Sequence, residues 1–308
     1  MDKLIDDLID KKSNTFLSSF SNVNIRENRD IYKNVINQTK DIINNSLELA
    51  RLRLESGEYK GSECAEQISH LYDFIIKSYF EYLSTLSDSS QNKTDFEKIA
   101  ILATGGYGRG KIAPDSDIDL LFLMPFKKTA WSETITENLL YFLWDLGLKI
   151  GHATRNINEC ISLSRQDQTI TTSLLDARFI CGDEEVATVF EKSFRQSISK
   201  RSSNDFIKIK LEERENRHIK EGQSRYLVEP NIKNSKGGLR DLESLSWMTN
   251  FCYEAARPSQ MIKKDILSNE EAAIFRRCEN FLWHVRCQLH FLEKSSNDTI
   301  NFNAQVNM

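Results

Sequence analysis

Two carboxylates stand two residues apart at the head of an apolar run. Asp117 and Asp119 flank Ile118, and the run continues to Met124. Because side chains alternate between the faces of a strand, both carboxylates are predicted to project to one side of it. Neighbouring carboxylates repel each other unless a cation lies between them, and Mg²⁺ prefers such hard oxygen ligands. The spacing therefore predicts a magnesium site, although an Asp-x-Asp pair alone also ends many ordinary strands.

A glycine-rich turn precedes this pair. It follows the apolar run 99–103 and contains Gly105, Gly106 and Arg109. Glycine lets the backbone approach a ligand closely and turn its N–H groups toward an anion. An arginine adds a fork of donors that suits phosphate. Ser116 is a candidate helper and equally a turn former. The order of strand, glycine turn and strand predicts a phosphate site beside the metal.

Apolar periodicity predicts the elements that position these residues. A strand is expected over 148–155, and helices are expected over 1–20, 28–55, 64–86, 131–146, 157–163, 169–179, 184–198, 206–222, 239–253 and 270–293. The charges of the 206–222 helix are explained by a solvated face with pairs of opposite sign. The fold class is therefore α+β, with a small mixed sheet. We expect a helical lead-in over 1–92, the sheet domain over 93–165 and a helical domain over 166–308.

The motif and two further segments resemble known families. Gly-Gly, a short spacer and Asp-Ile-Asp between apolar flanks resemble the signature of the DNA polymerase β-like nucleotidyltransferase superfamily. Three ordered segments look like those of bacterial [protein-PII] uridylyltransferase/uridylyl-removing enzymes: Gly105-Gly-Tyr-Gly-Arg-Gly110 with Pro114-x-Ser-Asp-Ile-Asp-Leu-Leu121, Gly147-Leu-Lys-Ile-Gly-His-Ala-Thr-Arg155, and Tyr226 to Trp247. The resemblance covers roughly residues 30 to 295, and it implies that the helical domain over 166–308 is truncated at its end.

The resemblance implies a reaction and its partners. The donor would be UTP, the acceptor a tyrosine of the PII signalling protein, and the metal Mg²⁺. Asp117 and Asp119 would be the catalytic metal ligands, and Gly105, Gly106, Arg109 and Ser116 would contact the nucleotide phosphates. Lys233, Lys236 and Arg240, which otherwise belong to a loop before a helix, become candidates to reach the triphosphate. Nothing in the residue chemistry alone selects uracil.

The third metal ligand is the open position in this pattern. Many relatives in the superfamily supply a third carboxylate from the next strand, and the strand predicted over 148–155 has none. His152 is the nearest polar candidate, and a lone histidine is more often structural. Asp145, Glu159 and Asp167 are the other possible acids. Two alternatives therefore stay open: an adenylyltransferase of the same superfamily, and a catalytically inert remnant that still docks on a partner protein.

Composition sets further bounds. A net charge of -4 over 308 residues gives no sign of nucleic-acid binding. No window has the apolar length of a membrane span, and no signal peptide opens the chain. Six cysteines without metal spacing are predicted to be small buried residues in a reducing compartment, so we expect a cytoplasmic protein. The resemblance implies a His-Asp dipeptide in the uridylyl-removing part of the family. None occurs in these residues, so uridylyl-removing hydrolase activity is not expected.

Overall fold

A computed structural model describes residues 28–87, 97–224 and 226–308. The helix predicted over 1–20 lies outside the described residues, as does most of the polar segment 87–94. The described part has many helices and one small mixed sheet, which confirms the α+β fold class.

The sheet has four strands in the order β3-β2-β1-β4. Strand β1 is antiparallel to both β2 and β4, whereas β2 and β3 run parallel. The strands are β1 (Ala100–Ala103), β2 (Ile118–Met124), β3 (Ile150–Asn156) and β4 (Arg178–Gly182). Strand β2 is central and buried along almost its whole length, so the acids at its head are held by a rigid element.

The helices follow the apolar periodicity of the sequence. They are α1 (Arg29–Glu55), α2 (Gly61–Ser87), α3 (Gly105–Gly108), α4 (Ala130–Asp145), α5 (Ile157–Gln166), α6 (Gln168–Leu175), α7 (Glu184–Ile198), α8 (Ser203–Lys220), α9 (Leu239–Tyr253), α10 (Pro258–Lys263), α11 (Asn269–Glu293) and α12 (Phe302–Asn307). The predictions for α7 and α9 have the observed bounds. The short helices α10 and α12 were not predicted, because six residues are too few to show a helical period.

The helix predicted over 169–179 is wrong at its C-terminal end. Helix α6 ends at Leu175, and the chain from Arg178 to Gly182 forms β4 instead. The segment contains β-forming Phe179 and Ile180, and it completes the backbone hydrogen bonding of β1. Pairing with a distant strand has overridden the local pattern. The sheet therefore extends beyond residue 165.

The chain divides into two compact units. Within the described residues, the first unit comprises 28–50, 66–87, 97–112 and 116–193. The second comprises 51–65, 113–115, 194–224 and 226–308. In the first unit, the rings of Tyr79 and Phe142 stack with centroids 3.7 Å apart; in the second, Phe206 and Phe251 stack at 4.0 Å. Each unit thus has an aromatic core of its own.

The cysteines are not all buried. All six are free thiols, and those at 64, 160, 181 and 287 are buried as predicted. Cys278 is exposed on α11 and Cys252 is half-buried, so the prediction of six buried cysteines is wrong at these positions. None of the helices in the described ranges combines the length and apolar character that crossing a bilayer requires.

Candidate active site

The glycine turn is a single turn of helix at the end of β1. Thr104 precedes it in an extended conformation, and α3 then runs through Gly105 and Gly106. Gly105 has a φ of +55°, which residues with a side chain rarely adopt, so the turn requires glycine there. Gly106 is exposed. The start of the turn is therefore accessible to solvent at Gly106, and its contact with a ligand stays a prediction.

The turn is joined directly to the strand that carries the acids. The backbone N–H of Thr104 donates to the carbonyl oxygen of Asp119 over 3.0 Å. A Cβ atom placed on Gly105 would lie 2.9 Å from Oδ2 of Asp119. The half-buried carboxylate of Asp119 therefore lies against the glycine turn.

Gly151 on β3 closes the other side of this carboxylate. Asp119 and Gly151 are register partners in the parallel pair of β2 and β3. A Cβ atom on Gly151 would lie 2.3 Å from Oδ1 of Asp119, which is closer than real Cβ contacts come. Two glycines thus leave the space that the Asp119 carboxylate occupies. Sequence reasoning gave Gly151 no role, although a glycine inside a strand is a known sign of close approach.

Asp117 lies immediately before the first residue of β2. Its side chain is exposed, whereas Ile118 and Leu120 are each 1% exposed. This alternation agrees with the two acids sharing one side of β2. The N-terminal end of β2 therefore has two carboxylates, that of Asp117 exposed to solvent and that of Asp119 half-buried.

Arg109 follows the turn and lies beside it. Its Nη1 donates to Oδ2 of Asp176 over 2.5 Å, and the Asp176 side chain is 6% exposed. Its Nη2 would be 3.7 Å from a Cβ atom on Gly106. The guanidinium is thus held on one side by a carboxylate, while its other amino group lies next to the turn.

His152 lies on the other face of the sheet from Asp119. Its register partner is Leu120, and neighbouring residues in register project to the same face. The ring packs edge-on against Trp144 with centroids 6.0 Å apart. The structure therefore gives His152 a packing contact away from the acid pair.

The three alternative acids each have a structural contact. Oδ2 of Asp145 accepts from the Tyr32 hydroxyl over 2.6 Å, Glu159 accepts from the backbone N–H of Asn156 over 2.9 Å, and Asp167 caps the start of α6. Within the residues that the structure describes, no group of three or more His, Cys, Asp or Glu side chains is placed to hold a metal ion. Mg²⁺ is commonly held by one or two carboxylates together with substrate phosphates, so the pair at β2 still fits this ion.

Comparisons with known proteins agree with this geometry. A family model described as a nucleotidyltransferase domain matches residues 88–180, and one described as GlnD PII-uridylyltransferase matches residues 205–308. The bifunctional uridylyltransferase/uridylyl-removing enzyme of Rhodopseudomonas palustris is 43% identical over 263 residues, which are 84% of this chain. The chain contains the nucleotidyltransferase part of this family. It spans 28% of the length of that relative.

The uridylyltransferase match includes the three basic residues predicted to reach the triphosphate. They lie in the second unit, before and within the first turn of α9. Lys236 is exposed and Lys233 is half-buried. Arg240 forms an ion pair of 2.8 Å with Glu243 and packs over the Trp247 ring. Burial, followed by the charges of Arg286 and Arg240, lowers the pKa of Lys233.

Asp241 organises the loop that precedes α9 and carries Lys233 and Lys236. Its carboxylate accepts from the backbone N–H of Gly237 over 2.8 Å and lies 3.0 Å from Nε2 of His218. Arg217 donates to the same carboxylate and also to the carbonyl oxygen of Asn234. The sequence interpretation of the α8 charges as a solvated face is therefore wrong for Arg217 and His218. A longer-range partner, Asp241, replaces pairing along the helix.

Proposed function

We propose that this chain transfers UMP from UTP to a tyrosine of the PII nitrogen-signalling protein and releases pyrophosphate. The observation that supports this proposal most directly is the position of the Asp119 carboxylate. It lies against the glycine turn at Gly105 and opposite Gly151. The family relation supports the same class of reaction, since the related enzyme from Rhodopseudomonas palustris is named a uridylyltransferase.

Asp117 and Asp119 are the residues that would hold Mg²⁺. Both supply hard oxygen donors, one exposed and one half-buried, at the same edge of β2. When bound at such a pair, the divalent ion neutralises charge on the phosphates and lowers the pKa of an attacking hydroxyl. The donor set therefore fits the cofactor that the sequence predicts.

The other site residues would bind and orient the triphosphate. The backbone at Gly105 and Gly106 would receive the β- and γ-phosphates, and Arg109 would donate from the amino group beside Gly106. Ser116 would add a hydroxyl donor. The assignment of Lys233, Lys236 and Arg240 to the triphosphate stays a prediction from the family resemblance.

The reaction is an in-line displacement at the α-phosphorus. The tyrosine oxygen forms a bond to this phosphorus as the bond to the bridging oxygen of the β-phosphoryl group breaks. The electron pair leaves with pyrophosphate, and the phenolic proton passes to solvent. Positioning of the two reactants is the contribution that a protein can make most effectively to such a step.

The test uses the 308-residue chain with PII, Mg²⁺ and UTP labelled at the α-phosphate. We expect label on PII, none on a PII variant whose acceptor tyrosine is phenylalanine, and none without Mg²⁺. A parallel reaction with labelled ATP separates the adenylyltransferase alternative, which predicts the opposite nucleotide preference. Absence of label on PII with both nucleotides would contradict the proposal.

A second candidate is an inert module that docks on a partner protein. It is favoured by the lack of a three-residue metal cluster within the described ranges. Titration with a non-hydrolysable UTP analogue and Mg²⁺ distinguishes the two candidates. The transferase requires saturable binding, whereas the inert module predicts no binding at millimolar analogue and retained association with PII.

A further inference from the structure

The glycine turn cannot hold its own shape. Helix α3 has four residues, and an isolated helical turn of this length is unstable because its first hydrogen bond fixes several residues at once. Contacts with the rest of the first unit must therefore fix its position. Tyr107, the third residue of the turn, is 1% exposed and provides the anchor.

Asp73 on α2 receives this anchor. The Tyr107 hydroxyl donates to Oδ1 of Asp73 over 2.5 Å. Arg178, the first residue of β4, donates from Nη1 to Oδ2 over 2.7 Å and from Nη2 to Oδ1 over 3.0 Å. One carboxylate thus joins a helix, the glycine turn and a strand of the sheet.

Arg178 also contacts the turn itself. Its Nη2 lies 3.4 Å from the carbonyl oxygen of Tyr107, and its guanidinium carbon lies 5.4 Å from the centre of the Tyr107 ring. Asp73, Tyr107 and Arg178 therefore contact one another pairwise, and we call them the turn anchor. A bidentate arginine pair of this kind is geometrically specific, so it can fix a direction as well as a distance.

The turn anchor keeps one protonation state near neutral pH. Burial and the charge of Asp73 raise the pKa of the Tyr107 phenol well above its ordinary value. Burial lowers the pKa of Arg178, but its hydrogen bond and charge interaction with Asp73 outweigh this, so the net shift is upward. Tyr107 therefore stays a donor and Arg178 stays a cation.

We propose that Asp73 is a positioning residue for nucleotidyl transfer, which holds the glycine turn against the Asp119 carboxylate through Tyr107 and Arg178. This inference rests on the proposed function. Asp73 acts through the turn and needs no contact with the nucleotide. Neither the motif pattern nor the family resemblance assigned it a role.

The experiment compares Asp73→Asn, Asp73→Glu and Tyr107→Phe with the unchanged chain. A misplaced turn should weaken nucleotide binding, since displacements of about 1 Å in a site can reduce rates by about 100-fold. We expect Asp73→Asn to raise the KM for UTP about tenfold or more. Tyr107→Phe should raise it less, because the pair of Asp73 with Arg178 remains. Asp73→Glu should raise the KM less than Asp73→Asn does, because it keeps a carboxylate.

The matched control is Glu66→Gln on the same helix. Glu66 pairs with Lys111 at 3.6 Å, and its side chain is 44% exposed, so its removal should leave the KM unchanged. A role confined to folding would lower the thermal midpoint and the apparent kcat in proportion while leaving the KM constant. That result for both Tyr107→Phe and Asp73→Asn would overturn the inference.

Failure of the inference can be told apart from failure of the proposed function. If Asp73→Asn does not fold, the KM of Tyr107→Phe decides the question alone. If the unchanged chain binds no UTP analogue, the proposed function fails and so does the inference that depends on it. If the unchanged chain binds the analogue and all variants bind equally well, only the inference fails.

Discussion

Oδ1 of Asp119 would lie 2.3 Å from a methyl group on Gly151. The two residues are partners across the parallel strands β2 and β3, and the acid occupies space that only a glycine leaves open. The orientation of the Asp119 carboxylate is thus set by a residue on another strand.

Gly151→Ala should therefore reduce the proposed nucleotidyl transfer through its effect on Asp119. The added methyl group displaces the carboxylate, and we expect transfer to fall by about 100-fold while the fold remains. Initial rates of UMP transfer measure this loss. The double variant Gly151→Ala/Asp119→Asn should have a transfer rate only slightly below that of Asp119→Asn alone. The reason is that both substitutions act on the same carboxylate, that of Asp119. Full additivity of the two losses would contradict the assigned contact.

Lys233→Met should weaken nucleotide binding and increase stability. The fold lowers the pKa of Lys233 through burial and the charges of Arg286 and Arg240, so the charged form is disfavoured in the folded chain. Urea unfolding should show the variant to be more stable at neutral pH. We expect the KM for UTP to rise about tenfold, because the variant would lose the proposed charged hydrogen bond from Lys233 to the triphosphate.

The pH dependence of this effect has a definite sign. The unfolded chain binds more protons between the lowered pKa and the ordinary value of 10.5, so the unchanged chain gains stability there as pH rises. Lys233→Met lacks this gain, and its advantage should shrink over the same range. Lys236→Met is the matched control, because exposed Lys236 should not affect stability. An unchanged KM in Lys233→Met would remove Lys233 from the predicted site.

Asp298→Asn should destabilise the second unit. Burial alone would raise the pKa of Asp298, but the hydrogen bond from His290 and the charge of Arg286 outweigh it and hold the pKa well below its ordinary value. The stabilisation is complete above the ordinary value of 3.8 and is lost as pH falls toward the depressed pKa. We expect the substitution to lower the free energy of unfolding by about 2 kcal/mol at pH 7.

Urea unfolding at several pH values measures this difference. The difference in unfolding free energy between the unchanged chain and Asp298→Asn should decrease as the pH falls below 3.8. Asp205→Asn serves as the control, since its side chain is exposed and surface changes usually alter stability by less than about 0.5 kcal/mol. Equal effects of the two substitutions at pH 7 would argue against the ion pair.

The thiols should differ sharply in their reaction with Ellman's reagent at pH 8. Cys278 is exposed and should react in a fast phase. Burial raises the pKa of Cys160 to about 12, so this thiol stays protonated and should react only on unfolding. Cys278→Ser should remove the fast phase. Persistence of that phase at full amplitude would contradict the exposure of these side chains.

Local patterns predicted the elements and the acid pair, because each depends on residues close in sequence. The alternation around Ile118 is a property of one strand, and the bounds of α7 and α9 follow from the apolar period and from Gly182 and Gly238 at their ends. The same locality predicted a glycine turn at Gly105, and the structure adds that its φ is positive.

Pairings between distant segments could not be predicted. Strand β4 exists because it pairs with β1, and Asp119 meets Gly151 only when β2 and β3 align. Asp241 collects Arg217 and His218 from another helix, whose charges by themselves resemble an ordinary solvated face. A single sequence gives spacing along the chain, whereas these contacts depend on register between elements.

The central claim is that the carboxylates of Asp117 and Asp119 carry nucleotidyl transfer. The most direct measurement is the rate of label transfer from α-labelled UTP to PII by the unchanged chain, Asp117→Asn and Asp119→Asn, with circular dichroism to verify folding. We predict that each variant remains folded and loses at least about 1,000-fold in rate, since removal of a residue that acts in the transition state has effects of this size. Mg²⁺-dependent transfer by either folded variant at a rate near that of the unchanged chain would contradict the claim.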